Sequence, residues 1–293
     1  MSIFSGLEDI VEQDHPLAAH TWYCLGGPAE YFVRPKDVEQ LQEVVRRCNE
    51  NHLPTHVLGF GSNLLVSDEG VRGAVIKLEG DTFGGTEFGR EELTAWGGAE
   101  LSKLVLTCVE KGLSGVEPLT GIPGSIGGAV KMNAGGSFGD IGTVVESVTL
   151  MDVHGNLFEK RKPELIFDYR SVNIRARFIL NAQMKLTPGN PERIMRTVKE
   201  SWIYKKNSQP LNTRNCGCVF KNPPGTSAGA LIDRAGLKGL QVGGAVVSDK
   251  HANFIVATDG CTSRDIMRLI EAIQQRVREQ FDIELEPELE IWQ

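Results

Sequence analysis

Three stretches of the chain gather residue types that could do chemistry. The first is Val57-Leu58-Gly59-Phe60-Gly61-Ser62-Asn63-Leu64-Leu65-Val66. A strand running into Gly-x-Gly lets bare backbone approach a ligand, and the N–H groups that follow can form an anion-binding nest. It is not the dinucleotide fingerprint, because the third glycine is missing and Leu64 to Val66 continue as apolar chain. A tight structural turn and a phosphate site both remain open. The second runs from Gly121 to Gly136 and holds Ile122, Ile126, Ala129, Val130 and Met132 among its glycines. That is too apolar for a flexible linker, so its glycines are expected to let backbone touch something bulky. The third is Asn215 to Pro223, with Cys216, Cys218, Lys221 and Asn222, followed by Lys238 and by Ser248 to Phe254, which includes His251 and Asn253. Thiol, amine, amide and imidazole groups coincide there, but a solvated lysine rim around a buried cysteine reads equally well.

The elements that must position these groups follow from periodicity. Asp37 can cap a helix whose apolar residues Val38, Leu41, Val44, Val45 and Cys48 keep helical spacing. Strand-like runs at Thr55 to Leu58 and Val71 to Leu78 flank the first glycine turn, and Leu101 to Lys111 reads as a second helix stopped by Gly112. Residues 112–139 keep neither period, which predicts a long ordered loop with at most a short helix; such loops are usually functional. His154-Gly155-Asn156 between Val148–Val153 and Leu157–Lys160 signals a hairpin, and Phe178 to Leu186 a strand. Pro191 opens a helix expected to fray at Lys205 to Pro210. Beyond it the pattern predicts a strand at Cys218 to Lys221, a helix at Ser227 to Ala235, and strands at Val242 to Val247 and Phe254 to Ala257. A final helix capped by Ser263 and a closing strand with Ile283, Leu285, Leu289 and Ile291 in alternation complete the pattern.

Composition narrows the classes. The 293 residues predict two or three domains, and 41% hydrophobic with 24% charged residues describes an ordinary globular chain. A net charge of -7 argues against nucleic acid as partner. The acidic N-terminus has no signal-peptide pattern, and no stretch approaches the length of a membrane span. Six scattered cysteines suit a reducing cytoplasm, and their spacing gives no metal site. Of 33 glycines, 13 fall in residues 59–73 and 112–139, where even spreading would put about five.

Taken together, the segments resemble the UDP-N-acetylenolpyruvoylglucosamine reductase (UDP-N-acetylmuramate dehydrogenase) family over essentially the whole chain. The matching pieces are His20 to Glu30, Gly59 to Asn63 with Asp68, Gly121 to Gly135, Tyr169-Arg170-Ser171, Gly217 to Pro223, Lys250 to Val256, and Leu285-Glu286-Pro287-Glu288. The absence of an insertion after Arg170 resembles the shorter subtype without a substrate-covering tyrosine loop. The fold implied is α+β: a two-part FAD-binding PCMH-type region over residues 1–205 (roughly 1–80 and 81–205) and a C-terminal α/β substrate-binding domain over 206–293, whose last strand packs back on the first.

The activity implied is cytoplasmic reduction of the enolpyruvyl ether of UDP-N-acetylglucosamine to UDP-N-acetylmuramate, for peptidoglycan precursor synthesis. NADPH is the co-substrate and non-covalent FAD relays its hydride to C3, while an enzyme acid protonates C2. A monomer is expected, with no membrane or nucleic-acid partner. The resemblance implies that Gly59, Phe60, Gly61, Ser62, Asn63 and Leu64 hold FAD together with Gly121, Ile122, Pro123, Gly124, Ser125, Gly127, Gly128, Asn133, Ala134 and Gly135. Tyr169, Lys221, Asn222 and Asn253 would bind substrate. Arg170 offers a guanidinium fork to the carboxylate that gains charge as hydride arrives, and Glu288 polarises the substrate.

The expected proton donor is Cys218, where many relatives have serine. A thiol titrating near 8.5 is a stronger acid than an aliphatic hydroxyl and is largely protonated at neutral pH. A Cys216–Cys218 disulfide would silence it, and the sequence leaves that pairing open. Ala257 and Glu290 also depart from the family pattern, which usually has Asn and Arg there. Two other readings stand beside this one. A different PCMH-type flavin oxidoreductase would often carry flavin on a histidine, but His20, His52 and His56 lie outside the glycine loop. A binding protein that has lost its chemistry is the other.

Overall fold

The computed structural model describes residues 3–136 and 138–293. The chain separates into two compact units. One is built from Glu30–Gly59, Gly73–Ile203 and the N-terminal residues through Gln13; the other from Asp14–Ala29, Phe60–Arg72 and Tyr204–Gln293.

The first unit forms around two apolar clusters. Asp37 caps the helix Val38–Glu50 by accepting from Gln40 N at 2.7 Å, and the helix buries Leu41, Val44, Val45 and Cys48, the stripe its spacing predicts. These pack with Ala74 and Ile76 of the strand Val71–Lys77, to which Thr55–Leu58 pairs in parallel. A five-stranded sheet follows in the order Leu157–Arg161, Val145–Met151, Phe178–Lys185, Glu92–Trp96, Thr86–Phe88, with every pair antiparallel. Phe178 and Leu180 face the first cluster and Ile179 the second; a register shift opposite Thr149 and Leu150 then changes the parity, so Ala182 and Met184 also face the second. The helix Leu101–Glu110 covers the second cluster with Leu101, Leu104, Val105, Cys108 and Val109. The described part of 112–139 holds the short α-helix Ile126–Lys131 and a 3-10 turn at Glu117–Leu119 among turns and two-residue strands, as the missing periodicity implied.

In the second unit the helices Ala228–Arg234 and Ser263–Phe281 pack on the three-stranded antiparallel sheet Gln241–Val242, Ala245–Val247, Ile255–Ala257. Several expectations are corrected here. The run 242–247 is broken by Gly243, which takes φ +55° beside the Asp265 carboxylate, so it folds as a hairpin rather than one strand. The final helix is capped by Thr262, whose hydroxyl accepts from Asp265 N, and not by Ser263. Ser263 instead sends its hydroxyl to Val66 O at 2.6 Å. Residues 218–221 form no strand ladder, and the closing strand shrinks to Glu290–Trp292, because Pro287 cannot donate to a ladder. The helix from Pro191 runs on to Ser208 through the expected fray. Among the described residues no helix is long and apolar enough to cross a membrane.

The strand Glu290–Trp292 pairs in parallel with Leu64–Val66. Just beyond, Asp68 accepts from Ser263 N at 2.8 Å and Arg264 N at 3.0 Å, satisfying two amides at the start of the long helix. Replacing Asp68 by Ala is expected to cost about 1–2 kcal/mol, the usual range for a lost helix cap. A urea titration that leaves the midpoint unmoved would count against this role.

Candidate functional site

The first glycine turn begins where Thr55–Leu58 ends. Gly59 lies against Ser125 so closely that a Cβ there would sit 2.6 Å from the Ser125 hydroxyl. Within the first unit the two glycine-rich segments are therefore neighbours. Ser125 caps the helix Ile126–Lys131 through Gly128 N at 3.3 Å, while Ile126 N donates to Ala99 O and Gly127 N to Gly97 O. The helix N-terminal amides are thus engaged inside the protein. Gly97, Gly98 and Ala99, which sequence reasoning missed, form the floor of this segment; their signal was a glycine pair between a strand and a helix.

Gly61 has φ +61°, and a Cβ on it would lie 2.0 Å from His20 O. Only glycine fits. Trp22 N donates to Gly61 O at 3.1 Å, and Asn63 Nδ2 donates to Glu288 O at 2.9 Å. Phe60 projects outward, 41% exposed. Among the described residues the amides of Gly59, Phe60 and Gly61 reach no backbone acceptor. Amides without a backbone acceptor, on a stretch carrying two glycines, are chemistry suited to a diphosphate.

Further along the first unit, Asn133 to Gly135 meet the hairpin Phe167–Asp168/Ser171–Val172. Its two-residue tip is Tyr169-Arg170, with Arg170 at φ +53°. Arg170 Nη1 donates to Gly135 O at 2.9 Å, and its guanidinium carbon lies 5.5 Å from the exposed Tyr169 ring. Ile122 N closes a turn onto Leu119 O, Gly124 O accepts from Leu101 N, and Ala134 N donates to Ala129 O. Gly121 takes φ +69° beside Ile122 and Pro123.

In the second unit, residues 216–222 run beside 286–288. Glu288 N donates to Val219 O at 2.8 Å and Lys221 N to Glu286 O at 2.9 Å, so Glu288 and Cys218 belong to adjacent segments, both partly exposed. The missing ladder is replaced by one side chain. Asn253, 2% exposed, accepts from Phe220 N at 3.0 Å and donates to Phe220 O at 2.8 Å. Its amide is turned toward backbone and not outward. Lys221 pairs with Glu286 at 2.6 Å, and Asn222 accepts from Ala228 N at 3.0 Å. His251 accepts from Asn253 N through Nδ1; burial, and then the nearby Lys238 charge, lower its pKa. Of the two departures from the family pattern, Ala257 is buried in its strand and Glu290 is exposed.

All six cysteines are free thiols. Cys216 is buried and points its sulfur at Leu64 O (3.4 Å) and Gly61 O (3.8 Å), and burial pushes its pKa from 9.0 to about 12. Cys218, two residues on, is partly exposed.

Two family models match the chain: a FAD binding domain over residues 29–160, and the C-terminal domain of UDP-N-acetylenolpyruvoylglucosamine reductase over residues 209–292. The chain is 39% identical over 299 residues to the UDP-N-acetylenolpyruvoylglucosamine reductase of Lachnoclostridium phytofermentans, covering 99% of this chain and 96% of that one. To the enzyme of the same name from Heliobacterium modesticaldum it is 42% identical over 282 residues, covering 95% and 90%. The crystal structure of UDP-N-acetylenolpyruvylglucosamine reductase from Thermus caldophilus superposes with a TM-score of 0.82 at 37% identity, over 97% of this chain and 98% of that one.

The two neighbouring thiols are expected to differ in reactivity. At pH 8 a shift from 9.0 to about 12 leaves Cys216 roughly a thousandfold less thiolate than an unshifted thiol. Iodoacetamide should therefore alkylate Cys218 and the exposed Cys24 in native protein and spare Cys216 until the chain is unfolded. Peptide mass mapping reads this directly, and equal labelling of Cys216 and Cys218 would contradict it.

Proposed function

The chain belongs to the UDP-N-acetylenolpyruvoylglucosamine reductase family, and on that premise we propose that Arg170, Cys218 and Glu288 divide the work of reducing the enolpyruvyl double bond. The protein is an FAD flavoprotein oxidoreductase of peptidoglycan precursor synthesis, acting with NADPH. When bound, FAD supplies the relay that carries hydride from NADPH to C3 of the enolpyruvyl ether. The residues we assign to hold it are Gly59, Phe60 and Gly61, whose amides reach no backbone acceptor among the described residues, and the loop Gly121 to Ser125.

The chain's own contribution is to manage charge and one proton. Hydride arriving at C3 pushes an electron pair toward C2 and its carboxylate, which then approaches a dianion. Arg170 pairs with that carboxylate through its planar fork, an interaction that strengthens as charge develops. Its left-handed tip position and its bond to Gly135 O keep the guanidinium from wandering. Cys218 delivers the proton to C2, completing the addition across the double bond, and recovers a proton from solvent. Glu288 orients the substrate as a hydrogen-bonded acid.

The observation that carries this reading is the Glu288 N to Val219 O bond, which sets the segments bearing the acid and the orienting carboxyl side by side. Lys221, Asn222 and Tyr169 are assigned to the nucleotide sugar, Lys221 after exchanging Glu286 for phosphate. Asn253 serves that site by holding Phe220. Six free thiols support a reducing, cytoplasmic setting, and we assign the protein to the shorter subtype, acting as a monomer.

Anaerobic half-reactions test the proton donor. Cys218→Ala is expected to leave flavin bleaching by NADPH near its normal rate while slowing reoxidation by the enolpyruvyl substrate by about 100-fold or more, the usual span for a general acid. Cys218→Ser, which restores the hydroxyl common among relatives, should recover much of that loss. Normal reoxidation in the alanine variant would remove Cys218 from the mechanism.

A further inference from the structure

We infer that Asn133 is the positioning residue of Arg170, fixing the hairpin that presents the guanidinium. The inference rests on the reading of Arg170 as the carboxylate-binding group. Asn133 is 4% exposed and sits just past the helix Ile126–Lys131 with φ +42°, a left-handed conformation that asparagine tolerates better than most residues. That backbone turn aims its side chain at two strangers in sequence. Nδ2 donates to Asp168 O at 2.9 Å, and Oδ1 accepts from Gly142 N at 3.1 Å.

Both ends of this clasp matter to Arg170. Asp168 is the last strand residue before the two-residue tip, and its carboxylate in turn accepts from Tyr169 N at 2.7 Å. Gly142 is the floor under the same strand, one residue earlier. A Cβ on Gly142 would fall 2.5 Å from the Phe167 ring, so that ring lies directly on its backbone. Asn133 therefore ties the carbonyl just before the tip to the backbone on which the preceding residue rests. Two residues past Asn133, Gly135 O accepts from Arg170 Nη1 at 2.9 Å. One short segment thus fixes the hairpin at its base and the guanidinium at its end.

A two-residue hairpin with two-residue strands has little to define its position by itself, since isolated hairpins are marginal in water. The Asn133 amide supplies that definition. Its two polar atoms are buried and engaged within the protein, so the side chain acts through Arg170 and not through contact with a ligand.

The test is a double-mutant cycle on the flavin-loaded enzyme. Asn133→Gly keeps the left-handed backbone and removes the clasp; Asn133→Asp keeps the acceptor for Gly142 and loses the donor for Asp168, and stands in if the glycine variant fails to fold. In single-turnover reoxidation by the enolpyruvyl substrate, each is expected to be about tenfold slower, the order expected for one buried hydrogen bond. Substrate binding, followed by its perturbation of the flavin spectrum, should weaken in step, with flavin content and reduction by NADPH unchanged. In an Arg170→Lys background the Asn133 substitution should add little further loss, because its effect runs through the guanidinium. Losses that multiply in the double variant, or flavin lost from Asn133→Gly, would overturn the inference. If Arg170→Lys alone reoxidises normally, it is the assignment of Arg170 that fails.

Discussion

The second unit depends on the parallel pairing of Leu64–Val66 with Glu290–Trp292, which joins a thirteen-residue excursion to the far end of the chain. Ser67 N extends the ladder to Trp292 O, Ser263 Oγ closes on Val66 O, and Asp68 caps the long helix two residues later. Beside the contacts of Trp22 and His20 with Gly61, the glycine turn in this unit is held by bonds that follow from that register. Asn63 reaches Glu288 O across 225 residues of sequence, and Cys216 reaches Leu64 O across 152. Contacts of such separation carry a large loop-closure cost and are slow to form. The turn therefore gains these contacts only when the C-terminal residues have arrived.

A second theme is the use of asparagine amides where a strand ladder stops. Asn253 supplies Phe220 with both a donor and an acceptor, Asn133 joins Asp168 to Gly142, and Asn215 binds Pro210 O and Gly217 N. All three are buried. A carboxamide has the donor and acceptor of a peptide group, so it can satisfy buried backbone without a neighbouring strand. This lets residues 215–222 run as irregular chain through the interior, leaving Cys218 partly exposed where a regular strand would dictate its face. Irregularity here is fixed by side chains, and is not looseness.

These same features separate what was legible in the sequence from what was not. The helices at Val38–Glu50 and Leu101–Glu110 and the hairpin around Gly155 were readable because period, cap and turn residues all lie within a few positions of one another. The strand expected at 218–221 failed because its partner is a single side chain 33 residues away, which no local pattern encodes. Glycine excess predicts backbone in close contact with a ligand, and several of these glycines are required by the protein itself. Gly61 makes room for the His20 carbonyl, and Gly127 for that of Gly97. For Asn133 and Asn253, motif membership suggested contact with ligands, while geometry turns both amides inward.

The pair of thiols shows most directly how environment divides roles that sequence leaves equal. Gly217 between them takes φ +78°, with open space where a side chain would stand, so the chain turns sharply from one cysteine to the next. Cys216 is left in the interior, its sulfur shared between Leu64 O and Gly61 O, and burial holds it as the neutral thiol with a pKa of about 12. Oxidation to a disulfide proceeds through a thiolate, so this environment works against the pairing with Cys218 that spacing alone left open. Cys216, directed at Leu64 O and Gly61 O, is a structural part, whereas the thiol two residues later is partly exposed. Two cysteines separated by one residue are therefore set in different environments by a single glycine and two backbone carbonyls.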